Sequence, residues 1–105
     1  MSLTVNNALD FDKIIAENDL VLVDFFATWC YPCKMLSPIL EKAEQDYANV
    51  KFVKVDVDRA QELAIRYRIQ YMPSLVFIKK GVTAALEVGF KSREELDALI
   101  EKYYK

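Results

Sequence analysis

Leu20-Val21-Leu22-Val23-Asp24-Phe25-Phe26-Ala27-Thr28-Trp29-Cys30-Tyr31-Pro32-Cys33-Lys34-Met35 is the stretch from which the fold of this chain is read. Leu20 to Phe26 is a near-continuous apolar run of the kind found in a strand buried on both faces, interrupted by one acid, Asp24. From Pro32 to Ala48 the apolar positions Leu36, Ile39, Leu40, Ala43 and Tyr47 recur at helical spacing, and Pro38 inside the pattern predicts a kink. Cys30 and Cys33 thus fall where a strand ends and a helix begins.

These two cysteines are the only ones in the chain, and a cross-link between them closes too small a loop to hold a fold together. They serve chemistry or metal. A Cys-x-x-Cys pair is half of a structural zinc site, but zinc takes four ligands and the chain has no histidine and no further cysteine. Only carboxylates or a second subunit could complete such a site, whereas Cys-x-x-Cys near a βαβ pattern is a redox signature. Redox exchange is the preferred reading, with no metal and no cofactor expected.

Exchange needs one thiolate to attack and a second thiol near enough to displace the mixed disulfide. Side chains at i and i+3 of a helix lie roughly 5 to 6 Å apart, from where a rotamer change brings two sulfurs into bonding range. Pro32 suits the first helical turn, where a missing N–H leaves nothing unpaired. A helix N-terminus favours an anion by roughly 0.3 to 2 kcal/mol, which lowers a thiol pKa by at most about one and a half units. Cys30 is therefore expected to be the exposed, attacking thiolate and Cys33, one turn inside, the buried, protonated one.

The rest of the chain continues the alternation. A short apolar piece, Leu3 to Val5, precedes a helix around Asp10 to Glu17 that turns Phe11, Ile14 and Ile15 to one side. Lys51 to Val57 is extended by its β-branched content, and Asp58 is expected to cap a helix with Ala60, Leu63, Ala64 and Tyr67 inward. Ser74 to Ile78 and Val82 to Val88 flank Lys79-Lys80-Gly81, a hairpin signal. Ser92 and Glu95 stand at capping-box spacing before a final helix with Leu96, Leu99, Ile100 and Tyr103 facing in.

The order is βαβαβαββα. Strands separated by helices need crossovers and a parallel core, whereas the last two form a hairpin, so a mixed sheet covered by helices on both faces follows: an α/β fold. With 105 residues, 53% of them hydrophobic, the chain makes one domain, 1–105, with a single core. Its net charge of −2, with both signs interspersed, gives no electrostatic case for nucleic acid or membrane. Met1-Ser2-Leu3 has no basic region followed by an apolar stretch, and the run near Leu20 is too short to span a bilayer, so a cytoplasmic protein is expected.

On these motifs the chain resembles the thioredoxin family from about Val5 to Tyr103. Leu22 to Met35 is similar to the family's active-site strand and helix, and Met72-Pro73-Ser74 to its cis-proline loop. The resemblance implies the thioredoxin fold, a central five-stranded mixed sheet flanked by four helices on both faces. It also implies roles for single residues. Asp24 matches the buried carboxylate that exchanges a proton with the second cysteine; burial raises a carboxyl pKa toward neutrality, whereas a strand end with water access leaves it ordinary. Lys54 matches a lysine near that carboxylate; Phe52, Lys54 and Asp56 share one strand face, so Lys54 either points to the layer of Asp24 or snorkels to solvent.

Pro73, by residue type an ordinary strand-start proline with a trans bond, is implied to be cis. Trp29, otherwise a plain core aromatic, is implied to cover one side of the site. Tyr31, Pro32, Tyr71, Met72, Gly89 and Phe90 complete an expected client-binding surface. The chain departs from the family at Tyr31 and Tyr71, where glycines are usual, at Phe26, where tryptophan is usual, and at the bulky Phe90 after Gly89.

The function implied is a protein-disulfide reductase: Cys30 attacks a client disulfide, Cys33 resolves it, and a thioredoxin reductase restores the dithiol of a monomeric protein. An oxidase or isomerase differs from this in reduction potential. A binding module that docks one partner beside Cys30 and Pro73 would not reduce clients at all.

Overall fold

In the computed structural model, which describes residues 3–105, nine elements follow in the expected order. They are β1 (Leu3–Thr4), α1 (Ala8–Glu17), β2 (Leu20–Phe26), α2 (Tyr31–Asp46), β3 (Lys51–Asp56), α3 (Gln61–Arg66), β4 (Ser74–Lys79), β5 (Val82–Val88) and α4 (Arg93–Tyr104). Met1 and Ser2, on which the reading of the chain's start partly rests, lie outside the described residues. The strands form one sheet in the order β1-β3-β2-β4-β5. β1 and β2 run parallel to β3, whereas β4 pairs antiparallel with both β2 and β5.

The sheet's period of two sorts β2 between two cores. Val21, Val23 and Phe25 join Phe11 of α1, Leu63 of α3, and Val53, Val55, Val76 and Ile78 of the neighbouring strands. Leu22 points the other way, among Leu36 and Leu40 of α2, Leu96, Ile100 and Tyr104 of α4, and Phe52, Leu75 and Phe77. Because β2 is central and covered twice, it has no solvent face, which is why its sequence shows a run and not an alternation. Asp24 shares the face of Leu22 and is buried with it.

Caps explain where the helices differ from the sequence-based bounds. The side chain of Asn7 accepts the Asp10 N–H at 2.9 Å, so α1 starts at Ala8, ahead of Asp10. Ser92 and Glu95 form the expected reciprocal capping box. Tyr104, beyond the expected inward set, is also buried; its hydroxyl donates to the Val21 carbonyl at 2.7 Å and accepts the Ile78 N–H at 3.1 Å. The β4–β5 hairpin turns on Lys80 and Gly81 alone, both with positive φ (51° and 80°), the backbone of a two-residue turn that matches strand twist.

One expectation fails here. Asp58 does not cap α3. Arg59 and Ala60 N–H both donate to the Asp56 carbonyl, making a turn that delays the helix to Gln61, and Ala60 stands at the cap with no side-chain bond. Among the described residues, no helix is long and apolar enough to cross a membrane.

Candidate active site

Cys30 is the N-cap of α2, with extended backbone, and Pro32 occupies the first turn. The Cys33 N–H donates to Cys30 Sγ at 3.3 Å. Thus the sulfur of Cys30, not that of Cys33, takes up an orphan donor of the helix start. The two cysteines form a disulfide with Cα atoms 5.3 Å apart.

The expected contrast in exposure is absent: Cys30 is 5% exposed and Cys33 4%. A helix start by itself leaves its cap open to solvent. Here the loop before β4 lies over it, with Met72 packed against the Ala27–Cys30–Cys33 cluster and its carbonyl 3.6 Å from Cys30 Sγ. The two cysteines are distinguished by hydrogen bonding and not by burial.

The Met72–Pro73 peptide is cis. Around it, Ser74 Oγ donates to the Tyr71 carbonyl and the Gly89 N–H donates to the Pro73 carbonyl at 2.8 Å. The latter bond brings the end of β5 beside the loop. Gly89 has φ +97°, which admits glycine readily and a side chain rarely. Tyr31, Tyr71 and Phe90 are exposed (71%, 66% and 40%), and so is Pro32.

Trp29 is not a core residue: it is 67% exposed, with its indole N–H donating to Asp58 Oδ2 at 3.0 Å. Asp58 is in turn placed by its own N–H, which donates to Asp56 Oδ1 at 2.9 Å. The acid expected to cap a helix orients the ring beside Cys30 instead.

On β2, Asp24 is 3% exposed and neither carboxylate oxygen has a hydrogen-bond partner. Burial pushes its pKa up to about 7, against the opposing pull of the Lys54 charge. Lys54 stands opposite Asp24 in the β2–β3 register, and Leu75 stands opposite it on the other side. The Lys54 ammonium turns inward, donating to Ser37 Oγ at 3.0 Å and lying 4.7 Å from the Phe26 ring centre. A cavity of about 370 Å³ opens there, lined by Phe26, Ala27, Thr28, Cys33, Lys34, Ser37 and Lys54.

The roles of two residues in this arrangement differ from or go beyond the expectations from sequence. Nothing in the sequence links Asp58, expected as a helix cap, to Trp29, because their contact spans 29 positions. Ser37 carried a weak signal: it is four residues after Cys33, so it shares that residue's helix face, and it is a polar residue beside the inward Leu36 and Leu40.

A family model, Thioredoxin, matches residues 2–102. A thioredoxin of Mycoplasmoides gallisepticum is 40% identical over 97 residues, covering 92% of this chain and 97% of its own. A thioredoxin of Bacillus subtilis is 44% identical over 85 residues, with 80% and 82% covered. The solved structure of Plasmodium falciparum thioredoxin superposes with a TM-score of 0.90 at 40% identity, covering 96% of this chain and 98% of that one.

Proposed function

The chain belongs to the thioredoxin family of thiol-disulfide oxidoreductases, and from that we propose that Cys30 is the attacking and Cys33 the resolving thiol of a cytoplasmic protein-disulfide reductase. The observation that carries the assignment is the Cys33 N–H donated to Cys30 Sγ. The same donor stabilises a thiolate at Cys30 after reduction, and a charge-assisted bond of this kind is stronger than a neutral one.

The Cys30 thiolate attacks one sulfur of a client disulfide, forming a mixed disulfide and releasing one client thiolate. Cys33 gives its proton to the Asp24 carboxylate, and its thiolate attacks Cys30 Sγ. The Cys30–Cys33 disulfide forms, the mixed disulfide breaks, and the second client thiolate leaves, so two electrons pass to the client. With a pKa of about 7, Asp24 is poised to accept and return this proton near neutral pH. Lys54 moderates that pKa by its charge.

Client strands meet Cys30 across Trp29, Tyr31, Pro32, Tyr71, Met72, Pro73, Gly89 and Phe90. A thioredoxin reductase returns the electrons, and the working unit is a monomer made of one domain. Reduction of a disulfide-bonded test protein with dithiothreitol as electron source tests the reading. The expected result is a rate well above that of dithiothreitol alone, together with a reduction potential in the reducing range; no acceleration overturns the reductase, and an oxidising potential replaces it with an oxidase.

A further inference from the structure

We propose that Ser37 is a positioning residue for the reaction: its hydroxyl holds the Lys54 ammonium at the wall of the cavity beside Cys33, and so fixes the cation that acts on Asp24. The inference deepens the reading of Asp24 as proton acceptor for Cys33 and rests on it.

A lysine on a strand face has a flexible four-carbon stem, and its strongly hydrated head ordinarily goes to water. Lys54 is half-buried with its head turned in, so something must hold it there. Asp24 does not, since both of its oxygens lack a hydrogen-bond partner. The Phe26 ring lies 4.7 Å from the ammonium, but a ring face sets no hydrogen-bond direction. Ser37 Oγ, accepting at 3.0 Å, is the directional contact. It comes from α2, the helix that also carries Cys33, so the helix that presents the resolving thiol sets the position of the charge.

Other charges facing Asp24 are few. From β4 its register partner is Leu75, which is apolar, and α4 brings Leu96 and Ile100 to this core, with the Tyr104 hydroxyl bonded to Val21 and Ile78. From α2 come Cys33, Leu36 and Leu40, with Lys34 on the cavity wall. Asp56, two residues beyond Lys54, is committed to the Asp58 N–H. Lys54 is the cation opposing the effect of burial on Asp24. If its head is released to solvent, that opposition weakens and the Asp24 carboxyl titrates at higher pH.

The test is a carboxyl ¹³C NMR titration of Asp24 in the oxidised protein, for wild type, Ser37→Ala, Ser37→Thr and Lys54→Met. Alanine suits a helix interior, so Ser37→Ala retains α2. The expected result is an upward shift of the Asp24 midpoint in Ser37→Ala, in the direction of Lys54→Met, with return toward wild type in Ser37→Thr. Adding Ser37→Ala to Lys54→Met should shift it no further. At pH 7 a rise of half a unit from about 7 lowers the ionised fraction about twofold, and kcat/KM should fall by that factor while its acid limb moves to higher pH. An unmoved Asp24 in Ser37→Ala overturns the proposal, as does an unmoved Asp24 in Lys54→Met or a Ser37→Ala shift that persists without Lys54. The role of Asp24 is read separately: if Asp24→Asn keeps the wild-type acid limb, Asp24 is not the base, while the titration still reports whether Ser37 positions Lys54.

Discussion

The backbone N–H of Cys33 points at the sulfur of Cys30, 3.3 Å away, so two cysteines of equal burial are not equivalent. That difference predicts a split between their serine variants. Cys30→Ser should lose client reduction altogether. Cys33→Ser should still attack but not release, accumulating as a mixed disulfide with the client. Non-reducing gels after incubation with a disulfide-bonded protein decide between them; trapping by Cys30→Ser in place of Cys33→Ser would reverse the assignment.

Asp24 makes stability depend on pH in a direction opposite to that of a salt-bridged acid. Its folded pKa is raised from 3.8 to about 7, so its contribution is fully present below about pH 4 and is lost as pH rises through 7. At about 1.4 kcal/mol per pK unit, ionising it in place costs up to about 4 kcal/mol above pH 7. Asp24→Asn carries no such titration. Urea midpoints of the oxidised proteins should show the variant gaining on wild type from pH 4 to pH 8, and a difference constant across that range would contradict the buried, raised carboxyl. A constant offset from the buried amide does not enter the comparison, which reads only the slope.

Trp29 is held by Asp58 across an otherwise solvent-facing surface. Asp58→Ala removes the acceptor and leaves the ring free to rotate. Fluorescence anisotropy of Trp29, the sole tryptophan, should fall. Re-ordering one large side chain on client binding should raise KM about two- to tenfold with little change in kcat. Unchanged anisotropy would mean that packing, and not the Asp58 bond, orients the indole.

Tyr31 and Tyr71 are exposed on the cysteine helix and on the cis-proline loop, where the family usually has glycine. In the proposed docking of a client strand beside Cys30, they offer it apolar area and obstruct some approaches. Covering about 50 Å² of apolar client surface at ~25 cal/mol per Å² corresponds to about tenfold in affinity. The Tyr31→Ala, Tyr71→Ala double variant should lose about that factor in kcat/KM for disulfide peptides with an apolar flanking residue and little for polar ones. Parallel losses for every peptide would show that the rings do not select.

Features that depend on neighbours a few positions apart are legible in the residues alone. The buried run Leu20–Phe26, the helix started by Cys30 and Pro32, the Ser92–Glu95 capping box and the hairpin at Lys80-Gly81 are each set by a period of 2 or 3.6, a cap or a turn. From that order followed the mixed sheet with helices on both faces, and from the cysteine spacing the exchange chemistry. Contacts between distant segments arise with the assembled sheet: Met72 over Cys30, Asp58 on Trp29 and Ser37 on Lys54, at separations of 42, 29 and 17 residues. Each depends on the register of β2 against β3 and β4, and on which loop comes to rest over the start of α2. The periodicity of one segment assigns faces to its residues but does not identify what will pack against them. For that reason the burial of Cys30 and the true role of Asp58 appear only once the sheet has assembled.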